Sequence, residues 1–169
     1  MDVDVIVEIP KGSRNKYEYD HDLGRIRLNR MLFTSTGYPA DYGFVPNTMA
    51  EDDEPIDALV LLDDPTFPGC LVHARVVAVF WLRDEAGPDA KLLCVPADDP
   101  RHARTRDVTD LPVHLRNEIG HFFEIYKALE PEECTDIGGW QDRFSAEGAV
   151  LAAQNRLAWQ RTQGRTVTP

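Results

Sequence analysis

The chain is short of cysteine, of positive charge and of long apolar runs, and each shortage removes a class of protein. Its three cysteines, Cys70, Cys94 and Cys134, are odd in number and far apart, with no CxxC pair. Neither a zinc knuckle nor a disulfide framework is expected from them, and reduced thiols fit a cytoplasmic protein. Lys and Arg number 18 against 29 Asp and Glu, a net charge of −11. That balance argues against a chain that coats nucleic acid or an anionic membrane, and it suits one that concentrates divalent cations. No hydrophobic stretch approaches the length of a membrane span. The opening MDVDVIVEIP is acidic and alternating, which is the wrong pattern for a signal peptide. There is no Walker-type Gly-rich loop and no HExxH. His21, His73, His102, His114 and His121 show no metal-ligand spacing. An EF-hand beginning at Asp20 and Asp22 fails because Gly24 stands where a third oxygen ligand is needed.

What is present is a foldable core. Hydrophobic residues make up 43% of 169 positions, enough for one domain over 1–169, with about 161–169 frayed. Val3, Val5, Val7 and Ile9 alternate with mostly polar neighbours and predict a first strand with one apolar face. Lys16–Tyr19 and Arg25–Leu32 read as two further strands joined by a turn at Asp22–Gly24, with Lys16 and Glu18 on one face. The segment around Tyr38–Gly43 reads as irregular. Ala58–Leu62 is a buried strand, Leu71–Leu82 a long one, and Lys91–Val95 its return after a turn in 84–89 that holds Gly87 and Pro88. From Leu111 the spacing becomes helical, with Leu115, Ile119, Phe122 and Tyr126 on one stripe. A second helix is expected over Phe144–Gln160, its inner face carrying Val150, Ala153 and Leu157. Short strands followed by two helices predict a small barrel with helices packed outside it.

The chemistry concentrates in EDDEPIDALVLL, from Glu51 to Leu62. Glu51 and Asp53 read as a solvated turn. Asp52 and Asp57 flank a proline and precede a buried strand, where an unpaired carboxylate is expensive, so they are candidates to meet on one hard cation. Asp84 and Asp89 flank the predicted hairpin turn, and Glu8 and Glu18 stand on otherwise apolar strands. Lys16, Arg30, Tyr42, Lys91, Tyr126 and Lys127 form a second set. Arginine suits bidentate phosphate contacts, lysine supplies a point charge and tyrosine a directed donor. Carboxylates for hard cations beside phosphate-binding donors describe a phosphoryl-transfer site, where positioning and charge neutralisation suffice.

The pieces VEIPKGSRNKYEYD, YPADYGFVP, DDEPIDALV, RDEAGPDAKLLCVP and HFFEIYKALE, in this order, resemble the soluble, magnesium-dependent family I inorganic pyrophosphatases in their short bacterial form. The resemblance runs from Val5 to about Trp140. It implies a five-stranded OB-like β-barrel with two flanking α-helices, mainly β. It implies hydrolysis of pyrophosphate to two orthophosphates by in-line attack of a metal-activated water, with Mg²⁺ required and Mn²⁺ or Zn²⁺ as substitutes. A homo-oligomer, with a hexamer favoured, comes with it. Glu8, Asp52, Asp57, Asp84 and Asp89 match the family's metal-binding carboxylates. Lys16, Arg30, Tyr42, Lys91, Tyr126 and Lys127 match groups that hold or face the phosphates, and Glu18 and Tyr38 match further cavity positions. His21 has two open readings, a cavity-rim residue or a structural one. One departure stands out. The family signature places an aspartate, thought to orient or deprotonate the water, where this chain has Glu54. Asp89 is the second candidate proton acceptor. A misplacement of about 1 Å can cost roughly 100-fold in rate. This leaves a pyrophosphate-binding homologue with impaired catalysis as a rival, and a nucleic-acid-binding OB barrel as a more distant one.

Overall fold

The computed structural model describes residues 1–84, 87–131 and 136–163, excluding the side chain of Asp84. Eight strands and two helices follow one another as β1 (Asp2–Ile9), β2 (Asn15–Asp20), β3 (Arg25–Met31), β4 (Asp41–Phe44), β5 (Asp57–Val60), β6 (Leu71–Asp84), β7 (Gly87–Pro96), α1 (Val113–Ile125), β8 (Asp136–Gln141) and α2 (Arg143–Thr162). The alternation of β1 does what its sequence dictates: Val3, Val5, Val7 and Ile9 are all buried. The strand pairs with β4 on one side and β6 on the other. Because β4 leads through β5 and β7 back to β6, the five strands β1, β4, β5, β7 and β6 close into a ring. Closure removes the unpaired edges that an open sheet would expose. Strand β8 adds outside β6, and β2 with β3 forms a separate hairpin.

Strands β5 and β7 bury both faces over much of their length, which is why 58–62 and 91–95 read as continuous apolar runs rather than as alternation. Leu59, Leu93, Phe80 and Tyr42 join Ile119, Phe122 and Phe123 of α1, and Tyr126 at its C-cap, in one core. Ala58, Val60, Leu92 and Cys94 join Ala146, Val150 and Ala153 of α2 in a second. Helix α2 starts at Asp142, whose carboxylate accepts from the Ser145 amide at 2.9 Å, a conventional N-cap. It runs to Thr162, so Arg161 and Thr162 are helical; residues 164–169 and Cys134 lie outside the described residues.

Two strands escape a reading of the sequence. The irregular segment expected around Tyr42 contains β4, whose DYGF shows no alternation because all four residues are buried. Strand β8 is DIGGWQ, with two glycines that lower strand propensity; it forms because the edge of β6 offers a partner. Gly43 explains why β4 must carry a glycine. A Cβ there would lie 1.9 Å from the carbonyl oxygen of Ile6, a backbone atom that cannot move aside without parting β1 from β4. Gly43→Ala is therefore expected to cost at least about 3 kcal/mol of unfolding free energy, measured by urea denaturation.

Candidate active site

Strand register places the chemistry. In the parallel pair β5–β7, Asp57 lies directly opposite Lys91, and Asp89 precedes Lys91 by two residues on the same side of its strand. The Lys91 ammonium forms ion pairs with Asp57 and, at 2.6 Å, with Asp89. Tyr42 of the neighbouring β4 donates its hydroxyl to Asp57 at 2.6 Å. Lys91 is buried. Burial pushes its ammonium down, but the two carboxylates outweigh that and hold it well above the usual lysine range. Burial also raises the Asp89 carboxyl, against the opposing pull of Lys91.

Glu8 reaches the same space through an irregularity. Val7 faces Gly43 and Ile9 faces Tyr42, so Glu8 is an extra residue in the β1–β4 ladder, and bulges of this kind re-aim a side chain. Its carboxylate accepts from the Tyr19 amide at 2.6 Å. Desolvation nonetheless pushes its pKa up to about 8, with the Asp57 and Glu18 charges adding to the effect. A second bulge lies in the β2–β3 hairpin, where Lys16 faces Arg30 and Tyr17 faces Leu28, leaving Asn29 over. Asn29 donates to Glu18 at 2.7 Å while Lys16 donates to the other Glu18 oxygen at 2.8 Å. Burial pushes Glu18 up, but these two bonds prevail and hold it below the usual glutamate value.

Asp52 and Glu54 come from an exposed loop closed at its neck by Val45 and Ile56, whose amide and carbonyl bond at 3.0 Å. The buried Thr48 hydroxyl ties the same neck, donating to Val45 O and accepting from the Ile56 amide. Asp52 accepts from the Glu54 amide at 3.1 Å. Partial desolvation, then the Asp52 charge, raises the Glu54 carboxyl above its ordinary value, which makes it a better proton acceptor near neutral pH.

Glu8, Asp52, Asp57 and Asp89, with Glu18, Glu54, Tyr38, Tyr42, Lys16, Lys91, Tyr126 and Lys127, all line one cavity of about 380 Å³. Burial first, then the Asp57 charge, raises the Tyr42 phenol well above its usual range; desolvation does the same to Tyr38 and, less strongly, to Tyr126. All three remain hydroxyl donors at neutral pH. Arg30 is not among the lining residues. Its guanidinium holds Glu130 with two bonds of 3.0 and 2.6 Å, though its charge is felt at Tyr38 and Glu18. The side chain of Asp84 lies outside the described residues. His21, Tyr17, Tyr19, Phe44 and Phe123 also line the cavity. Of these the sequence marked only His21, as one of two readings, because aromatic residues beside strands look like ordinary packing.

The carboxylate oxygens that line the cavity fit a hard divalent cation rather than a soft one, and at Glu8 desolvation outweighs the opposing pull of Lys16. Among the described residues, no three carboxylates, histidines or cysteines stand close enough together to hold an ion as they are; Asp57 and Asp89 close on Lys91 instead.

The whole chain can be set beside known proteins. Residues 5–158 match the family described as inorganic pyrophosphatase. The chain belongs to that family. An inorganic pyrophosphatase of Streptomyces coelicolor is 56% identical over 157 residues, covering 93% of this chain and 96% of the relative. One from Methanosarcina mazei is 46% identical over 157 residues, covering 93% and 92%. The crystal structure of the inorganic pyrophosphatase from Thermus thermophilus superposes with a TM-score of 0.90 at 46% identity, covering 93% of this chain and 91% of that one. The closed five-stranded ring with two helices matches the OB-like fold expected of such a pyrophosphatase.

The raised Glu8 carboxyl has a measurable consequence for this pyrophosphatase. In the metal-free protein, Glu8 is neutral when folded up to about pH 8 but ionised when unfolded above its ordinary pKa of 4.5. Stability is therefore lost as pH rises through that window, and no further above it. Glu8→Gln keeps the oxygen that accepts from Tyr19 and removes the titration. Thermal unfolding without metal is expected to show parent and variant nearly equal at pH 4, with the variant gaining steadily between pH 5 and 8.

Proposed function

We infer that the cavity hydrolyses inorganic pyrophosphate to two orthophosphates, the activity of the family to which the chain belongs. The observation that carries the reading is the meeting, in one cavity, of a carboxylate cluster with the lysines and tyrosines that would face a phosphate. The enzyme depends on a divalent metal, and we take Mg²⁺ as the natural one, with Mn²⁺ or Zn²⁺ as substitutes. Glu8, Asp52, Asp57, Asp84 and Asp89 are the residues to hold it. Mg²⁺, when bound, supplies Lewis acidity toward water and neutralises phosphate charge.

The chain's own groups do the rest. Lys16, Lys127 and Arg30 offset the negative charge of pyrophosphate, and Tyr42 and Tyr126 donate directed hydrogen bonds to its oxygens. Tyr38 and Glu18 line the wall, Glu18 holding Lys16 in place. Glu54 orients the attacking water and accepts its proton, with Asp89 the second candidate. Lys91 keeps Asp57 and Asp89 together until the metal and substrate share their charge. No helix among the described residues is long and apolar enough to cross a membrane. We place the enzyme in the cytoplasm without a nucleic-acid partner. Exposed Phe67, Leu71 and Phe144 offer apolar surface for a homo-oligomer, for which we favour a hexamer.

Orthophosphate release from pyrophosphate is expected to require Mg²⁺ and to vanish in excess chelator. Asp57→Asn should cost far more activity than Asp53→Asn. Glu54→Gln, nearly isosteric, should lose about 100-fold in kcat, whereas Glu54→Asp keeps substantial activity. A Glu54→Gln enzyme within about twofold of the parent, roughly 0.4 kcal/mol of barrier, would remove Glu54 from the role of proton acceptor. Full turnover in chelator would remove the metal from the reaction.

A further inference from the structure

The loop that carries Asp52 and Glu54 is closed at its neck, but beyond the neck little supports it from below. A cavity of about 280 Å³ undercuts it, walled by Asn47, Met49, Asp53 and Pro55 of the loop and by Leu157 and Arg161 of α2. Dispersion forces that would ordinarily fix a loop are missing across such a gap. Two loop residues also adopt left-handed backbone, Asn47 at φ 58° and Asp53 at φ 66°, a conformation that costs free energy outside glycine and needs support from its surroundings. The support comes from one side of α2. Met49 N donates to Ala153 O at 3.1 Å. Arg156 donates to Met49 O at 3.1 Å and pairs with Glu51 at 3.5 Å. Gln160 donates to Asp53 at 3.2 Å, and Arg161 to Asn47 at 3.5 Å. Residues 153, 156 and 160 are spaced three and four apart and so share one helical face. Their partners, at 49, 51 and 53, flank Asp52 and Glu54 in sequence.

We propose that the C-terminal half of α2 is a clasp that aims Glu54 into the active site, with Arg156 as its principal positioning residue. The proposal rests on the reading of Glu54 as proton acceptor. Arg156 is the centre of the clasp because it alone grips the loop twice, once at a backbone carbonyl that no loop substitution can remove and once at a side chain. Arg156 does not line the 380 Å³ cavity, so it acts through the loop and not on substrate. The geometry assigns it an effect on turnover rather than on substrate affinity, because the groups that hold pyrophosphate stand on β2, β3, β4 and just after α1, away from the loop.

The test uses the full chain with Mg²⁺ and pyrophosphate, comparing Arg156→Ala, Arg156→Lys and Gln160→Ala. Arg143→Ala at the opposite end of α2, where among the described residues Arg143 pairs with Glu147 and stacks over Phe144 of its own helix, serves as control. Arg156→Ala should lower kcat about tenfold with KM within about twofold, while circular dichroism and the unfolding midpoint report a folded protein. Arg156→Lys, which retains a donor for the Met49 carbonyl, should recover part of the loss. Gln160→Ala removes a single exposed hydrogen bond and should lose about threefold in kcat, which keeps the test alive if Arg156→Ala does not fold. Arg143→Ala should match the parent. In a Glu54→Gln background the Arg156→Ala penalty should largely disappear, because residues that act through one group are not additive. Parental kcat in both Arg156→Ala and Gln160→Ala, an equal penalty in the Glu54→Gln background, or a loss accounted for by unfolded protein would overturn the clasp. A near-parental Glu54→Gln enzyme is a separate result and overturns the reading of Glu54 itself.

Discussion

The site turns on a single buried ammonium. Lys91 is enclosed, and an isolated charge in that position would cost several kcal/mol. It persists because Asp57 and Asp89 both close on it, and Tyr42 completes the shell around Asp57. The reverse dependence is as strong. Without Lys91 the two carboxylates would repel each other at the mouth of two apolar strands. Everything around the group serves to keep this arrangement in register: the parallel pairing of β5 with β7, the glycine that lets β4 approach β1, and the bulge that turns Glu8 toward the same space. Asp57 and Asp89 would help hold a divalent ion on a scaffold already shaped for positive charge.

Much of this was legible in the sequence. The alternation of β1, the apolar runs of β5 to β7 and the stripe of α1 follow directly from periodicity, because in each the pattern of burial matches a simple geometric repeat. The acidic loop before a buried strand pointed to the centre of the cavity for a physical reason, the cost of a carboxylate placed there without a partner. Asp52, Asp57 and Asp89 do line one cavity with Glu8.

What the sequence hid are features that periodicity cannot carry. Glu8 was marked as a candidate ligand, but the bulge that turns it inward, like the one that leaves Asn29 to hold Glu18, shifts register without leaving a mark on composition. Arg30 was read as a phosphate ligand, and the sequence did not show that Glu130, 100 residues away, also holds its guanidinium. Lys91 was read among cavity groups that face the phosphates, and it lines the cavity, but its ion pairs with Asp57 and Asp89 were not visible in the sequence. Both pairings were hidden for one reason. Ion pairing between distant strands depends on topology, and a single sequence does not state which strands meet. The dense acidic turn around Asp53 looked like a solvated face, and its attachment to α2 through Gln160 was invisible for the same reason.

The pairing of β5 with β7 carries a consequence for how the enzyme comes into being. Asp57 and Lys91 stand 34 residues apart in the chain, and β6 must be threaded between them in sequence before they can face each other. A contact of such separation carries the entropic cost of closing the intervening loop. Until it forms, the newly made chain carries a strip of unneutralised acid beside exposed apolar strands, a state in which repulsion holds open the ring that the hydrophobic effect is trying to shut. The charge balance at the centre of the cavity therefore exists only where β5 and β7 have paired, because no local stretch of the chain brings Lys91 to both Asp57 and Asp89.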